Sequence, residues 1–188
     1  MTPQIVPEIV MFSVSIERPA DGPAIETLLD RAFGPGRQAK QSYRYRDGIA
    51  PIPGLRLVAR EMSAGASAGG TLVGTVRCWP VVIGAARAPA VLLGPLAVEP
   101  KLAGQGIGRA LMWTALDFAA CDGYRLVLLV GDLDYYGRFG FVPAAPHGFL
   151  MPEENPERLL VHALDSSALG TIRGELMPAA SRKRRTAA

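Results

Sequence analysis

Gly104, Gly106 and Gly108 occupy every second position of Leu-Ala-Gly-Gln-Gly-Ile-Gly-Arg, between an apolar run that ends at Val98 and an amphipathic repeat that begins inside the loop itself. Glycines there let an anion approach the main chain without meeting Cβ atoms, and the first N–H groups of a helix have no acceptor of their own. The spacing therefore suits a phosphate, and a diphosphate in particular, held by amides at the positive end of a helix dipole. Two nucleotide motifs are excluded by counting. A dinucleotide fingerprint started at Gly104 or Gly106 needs a third glycine where Arg109 or Leu111 stands, and the Gly-x-x-x-x-Gly-Lys-Ser/Thr loop occurs nowhere in the chain. The competing reading is a tight turn that only brings a helix close to a strand.

A second stretch, Val130-Gly-Asp-Leu-Asp-Tyr-Tyr-Gly-Arg-Phe-Gly-Phe141, follows one helix and one strand later. Together the two stretches resemble the GNAT superfamily, whose signatures are Arg/Gln-x-x-Gly-x-Gly/Ala at the start of the helix after the central strand, and a later Tyr-x-x-x-Gly-Phe. Gly106 and Gly108 match the first, and Tyr136, Gly140 and Phe141 match the second. The resemblance implies acetyl-CoA as acyl donor, direct transfer within a ternary complex, and a primary amine of a small molecule or peptide as acceptor. It assigns contacts with the pantetheine arm to the backbone of Leu96, Ala97 and Val98. It assigns the pyrophosphate to the amides of Ala103, Gly104, Gln105, Gly106, Ile107, Gly108 and Arg109. Tyr136 is expected to protonate the departing thiolate, a task suited to a phenol whose ordinary pKa is about 10, with Tyr135 pointing elsewhere. Three positions depart from the family pattern: Ala103 replaces Arg or Gln, Leu129 replaces Asn, and Asp132 replaces Ala. Gln105 or Arg109 is expected to supply the side chain that Ala103 lacks.

Attack on a thioester needs a neutral amine, so a base is sought. Glu99, just past the central strand, is the acidic candidate, and a backbone N–H near Val98 would polarise the carbonyl. His147 and His162 stand apart from any metal or triad spacing, and Cys78 and Cys121 are expected as reduced, buried thiols, so no metal is expected. Trp79 and Trp113 are expected in the core or at an interface. Glu153, Glu154 and Glu157, among Pro152 and Pro156, form a solvated loop in the simplest reading, or a lid over an amine.

The elements that must position these groups follow from periodicity. Phe12 to Arg18 alternates as a strand with Phe12, Val14 and Ile16 on one side. Asp21 then caps a helix with Ile25, Leu28, Leu29, Ala32 and Phe33 on its apolar face, stopped by Gly34-Pro35-Gly36. Arg37 to Asp47 is read as a second short helix. Leu55 to Met62 and Thr71 to Ile83 are strands joined by a flexible connection from Ser63 to Gly70, and Ala90 to Val98 is a strand apolar on both faces. Ile107, Ala110, Leu111, Thr114, Ala115 and Phe118 trace a helix ending near Asp122-Gly123, then Arg125 to Val130 is a strand and Asp134 to Phe139 a short helix. Phe141 to Val142, Leu159 to Leu164 and Thr171 to Leu176 are read as further strands. The order predicts an α/β (α+β) fold, and the resemblance makes it a mixed, mostly antiparallel central sheet flanked by helices.

Residues 1–180 are expected to form one domain, with an irregular lead-in to residue 10, and residues 181–188 a basic tail. Arg182, Lys183, Arg184 and Arg185 account for the positive balance of the chain. Apart from them, 16 basic residues face 17 acidic ones, so no nucleic-acid partner is expected of the body. No export segment is visible and no run approaches the roughly 20 apolar residues of a membrane span, which predicts a cytoplasmic protein without membrane contact. The sequence does not fix an oligomeric state; a homodimer is one option, common on symmetry grounds. Two rivals stay open: a non-catalytic CoA-binding or sensing protein on the same fold, and a structural or nucleic-acid module that uses the tail.

Overall fold

The computed structural model describes residues 10–39, 41–62 and 70–179. The elements are β1 (Phe12–Ile16), α1 (Gly22–Phe33), β2 (Arg56–Glu61), β3 (Leu72–Ile83), β4 (Ala88–Val98), α2 (Ile107–Cys121), β5 (Leu126–Val130), α3 (Leu133–Tyr136), β6 (Val142–Pro143), β7 (Phe149–Leu150), β8 (Leu159–Ala163), α4 (Ala168–Thr171) and β9 (Gly174–Pro178). The sheet runs β1-β2-β3-β4-β5-β8-β6, with β9 added beside β3 and β7 beside β9. Its neighbours are antiparallel except β4 with β5 and β7 with β9, as expected of a mixed, mostly antiparallel sheet.

Alternation decides which helix covers which face. Leu57 and Ala59 of β2 pack in the cluster that contains Ile107, Leu111, Met112, Ala115, Leu116 and Ala119 of α2, whereas Val58 between them packs with Ile25, Leu28 and Leu29 of α1. Successive strand residues point to opposite faces, so α1 and α2 lie on opposite sides of the sheet. Gly74 of β3 lets α2 approach closely: a Cβ there would lie 2.8 Å from Ile107 Cγ2 and 2.9 Å from Leu111 Cδ1.

Several expectations are corrected. Asp21 stands at the start of α1 without capping it; its carboxylate accepts from the Arg18 amide at 2.8 Å and pairs with Arg60, because a charged neighbour competes better for it than the helix amides. Ile16 of β1 is 50% exposed; on α2, Ile107, Leu111 and Ala115 are buried as expected, but Phe118 is 40% exposed and the buried stripe takes in Met112, Leu116 and Ala119. Arg37 to Asp47 contains short 3₁₀ turns, Pro35–Ala39 and Gln41–Tyr43, followed by a turn. The last strand begins at Gly174, after a short helix. Cys78 is buried as expected, but Cys121 at the end of α2 is exposed. Trp79 is buried and donates its indole N–H to Ile49 O at 3.1 Å, while Trp113 is 44% exposed. Residues 1–9, the connection at 63–69 and the tail at 181–188 lie outside the described residues.

Candidate active site

β4 and β5 pair only at Val91 with Val127 and Leu92 with Leu128. Immediately beyond, the β3–β4 register shifts, Cys78 facing Leu93 and Val76 facing Leu96, so β4 carries an extra residue around Gly94-Pro95. Such a bulge bends one strand away from its neighbour, and the two parallel strands separate. On the β3 side β4 stays paired: the Glu99 N–H donates to Val73 O at 2.8 Å. Hydrogen-bonding direction alternates along an antiparallel pair. The peptide groups of Ala97 therefore also face β3, and those of Leu96 and Val98 face the gap left by β5. Leu96 and Val98 thereby border the gap. Ala97 does not: its side chain is buried against α1 and its N–H serves β3.

After Val98 the chain makes a 3₁₀ turn, Pro100–Leu102, and enters the glycine loop. The Ala103 amide donates to Pro100 O and the Gln105 amide to Leu102 O, both at 3.3 Å, so these two of the expected donors are turned into the loop. Gly104 and Gly106 both adopt φ of 85°, a left-handed conformation that disfavours side chains. The first helical bond of α2 runs from the Ala110 amide to Gly106 O at 2.9 Å. Ile107, Gly108 and Arg109 thus begin the helix with amides that have no helical acceptor. They face a crevice of about 500 Å³ walled by Val98, the loop, Tyr135, Arg109 and Arg138.

Tyr135 and Arg138 are missed by sequence reasoning. The Tyr135 hydroxyl lies where a Cβ on Gly108 would come within 2.9 Å of it, and the Arg138 guanidinium sits 5.0 Å from the Tyr135 ring centre. Their i, i+3 spacing on a short helical segment is the signal that pairs them. Arg109 and Arg138 together bring two cations to a crevice in which Ala103 offers only backbone.

Tyr136 faces a different cavity, of about 200 Å³, formed by the β4 bulge, the end of β5 and the turns after α1. Its ring lies over Gly131 and meets Phe141 edge-on at 6.0 Å between centres. Burial, with smaller contributions from Tyr135 and Asp132, pushes the Tyr136 phenol up to about 12, so it stays protonated throughout the neutral range. Arg37, in the same wall, pairs with Glu26 and Asp30 and donates to Tyr43 at 3.0 Å. Asp132 and Arg158 meet at 3.4 Å on the exposed rim.

Glu99 lines neither cavity. Arg31 of α1 donates to its Oε2 from Nε at 3.1 Å and from Nη2 at 2.8 Å, a charged contact from an element 68 residues earlier. His162 packs on Phe141 at 5.4 Å with its Nδ1 buried and unpartnered, and His147 stands away from both cavities. Burial pushes the Cys78 thiol up to about 12. Glu153 forms an ion pair with Arg44, joining the acidic segment to the turns beside the cavity. Among the described residues no group of His, Cys, Asp and Glu could hold a metal, and no helix is long and apolar enough to cross a membrane.

A sequence profile of the Acetyltransferase (GNAT) family matches residues 23–141. The uncharacterized N-acetyltransferase YhbS of Escherichia coli (strain K12) is 34% identical over 163 residues, 86% of this chain and 92% of YhbS. The N-acetyltransferase YjhQ of the same strain is 28% identical over 172 residues, 88% and 91% of the two chains. Among solved structures, Escherichia coli YhbS in complex with CoA superimposes with a TM-score of 0.77 at 31% identity, covering 90% of this chain and 91% of that one. A GNAT family acetyltransferase from Brucella melitensis in complex with acetyl-CoA shares the fold at a TM-score of 0.64 and 24% identity, covering 90% and 97%.

Proposed function

Because the chain belongs to the Acetyltransferase (GNAT) family, we propose that it transfers the acetyl group of acetyl-CoA directly to a primary amine of a small acceptor. The observation that carries this reading is the meeting of two cavities on one stretch of β4. Val98 ends the stretch beside the acceptor-less amides of Ile107, Gly108 and Arg109, and Leu96 borders the cavity of Tyr136. The residues fit a pyrophosphate: glycines with positive φ, helix-start amides and two guanidinium groups converge on one crevice.

Acetyl-CoA supplies an activated acyl thioester when bound. The Gly104–Arg109 segment, with Arg109 and Arg138, holds the diphosphate. The Val98 N–H, directed into the strand gap, polarises the acyl carbonyl. Tyr136, protonated because it is buried, gives its proton to the sulfur as the amide forms. Glu99 pins α1 to the end of β4 through Arg31, and the proton released by the amine passes to solvent.

Calorimetry with acetyl-CoA is expected to give one site per chain, and thiol release with a panel of amines to give turnover. Absence of binding overturns the reading. Binding without turnover across the panel favours a CoA-binding protein on the same fold, the alternative suggested by Ala103 and by a cavity whose lining carboxylate, Asp132, is paired with Arg158.

A further inference from the structure

The wall of the Tyr136 cavity contains a cation that no carboxylate among the described residues neutralises. Arg46 forms part of its wall, stacked between the rings of Tyr43 at 4.4 Å and Trp79 at 4.8 Å. Its Nε and Nη1 are buried with no hydrogen-bond partner, and among the described residues no carboxylate forms an ion pair with it. The other guanidinium groups here are matched: Arg37 by Glu26 and Asp30, and Arg158 by Asp132.

A guanidinium withdrawn from water without a counter-ion is destabilising, and its donors are costly to leave unmade. The two rings offset part of that loss through cation–π attraction. Trp79, fixed by its bond to Ile49 O, and the bulge residue Gly94, whose Cβ would lie 3.7 Å from Arg46 Nη2, hold the group in place. Burial drags Arg46 down to about 10, with Tyr43 opposing the fall, and it stays charged at neutral pH. A positioned, unmatched cation beside the strand gap is an anion receptor, and a single charge in about 200 Å³ suits a monoanion of amino-acid size rather than a dianion or a protein segment.

Resting on the reading that this cavity receives the acceptor, we propose that the acceptor is a small amine bearing a carboxylate, and that Arg46 docks the carboxylate while the amine faces the Leu96–Val98 edge.

The test is calorimetry on the full chain, with and without CoA, using N-acetyl amino acids and their carboxamides as paired probes. The expected result is at least one N-acetyl amino acid bound tenfold or more tightly than its carboxamide. Equal affinities across the pairs overturn the proposal, and so does tighter binding of N-acetylated aminoalkyl phosphates than of the carboxylates. In Arg46→Met the carboxylate preference is expected to vanish while the melting temperature holds or rises, since an unmatched buried charge is removed. A preference that survives overturns the proposal. Arg46→Lys, which keeps the charge without the planar fork, is expected to retain part of the preference and serves if the methionine variant does not fold. These readouts need no turnover. Loss of acetyl-CoA binding or transfer with the carboxylate preference intact tells against the acetyltransferase reading alone, and transfer without that preference tells against Arg46 alone.

Discussion

The Tyr136 ring rests directly on Gly131: a Cβ at residue 131 would stand 2.2 Å from Tyr136 Cε2 and 2.6 Å from Cδ2. The contact joins the end of β5 to α3 across a single turn. It directs the phenol into the strand gap, and only a residue without a side chain permits it.

Gly131→Ala is expected to push Tyr136 out of its place, at a stability cost of about 1–3 kcal/mol for overpacking. Turnover should fall while acetyl-CoA affinity changes little, because the crevice proposed to hold the diphosphate is the separate cavity walled by Tyr135 and Arg138. Thermal melts, calorimetry and steady-state kinetics on one variant check all three.

Tyr136→Phe removes the proposed proton donor and should lower kcat by about 10²-fold with the fold intact. The phenol is raised from its ordinary value of about 10 to about 12 in the folded chain. Its contribution to stability is therefore complete below pH ~10 and is lost as pH rises toward 12, because the folded state retains the proton longer than the unfolded one. Alkaline denaturation of wild type against Tyr136→Phe should show this part of the slope only in wild type, and kcat should show no loss from Tyr136 ionisation below pH ~10.

Gly106→Ala places a methyl group on a residue at φ 85°, a strain of about 1–2 kcal/mol, beside the diphosphate crevice. Relieving that strain displaces the loop amides, and the Kd for acetyl-CoA should rise about tenfold, equivalent to about 1.4 kcal/mol of lost contact. Arg138→Ala should weaken binding less and flatten its dependence on salt, since it removes a screened charge. Titrations at two ionic strengths separate the two effects.

Glu99→Gln tests whether a carboxylate already held by Arg31 also acts as a base. Glu99 is 21% and Arg31 48% exposed, so the lost ion pair should cost only about 0.2–1 kcal/mol, with turnover near that of wild type. A fall of about 10²-fold, the scale of general-base loss, would restore Glu99 to the chemistry.

The two thiols should separate under an aromatic disulfide reagent near pH 8. Cys121 is exposed and should react at once; Cys78 is buried with its thiol pushed up to about 12, and should stay silent until the chain unfolds. Immediate reaction of both would show that the β3–β4 core opens readily.

Much of the fold was legible because its signals are local. Alternation in β1, the apolar run of β4 and the glycines before α2 each encode one element within a few residues. Misplaced details came from competition that local pattern cannot see: Arg60, almost forty residues on, draws Asp21 away from the helix it precedes.

By itself the sequence determined the order of the main strands and helices, the glycine loop at Gly104–Gly108 before α2, and the presence of a phenol one strand later, since spacing along the chain sets backbone geometry. Tertiary structure alone decided that Tyr136 enters the strand gap while Tyr135 lies over Gly108, that Arg31 occupies Glu99, and that Arg46 stands unmatched beside the bulge. Those outcomes depend on charges and cavity walls contributed by segments far apart in sequence, and such distances exist only once the sheet has bent at Gly94-Pro95 and parted β4 from β5.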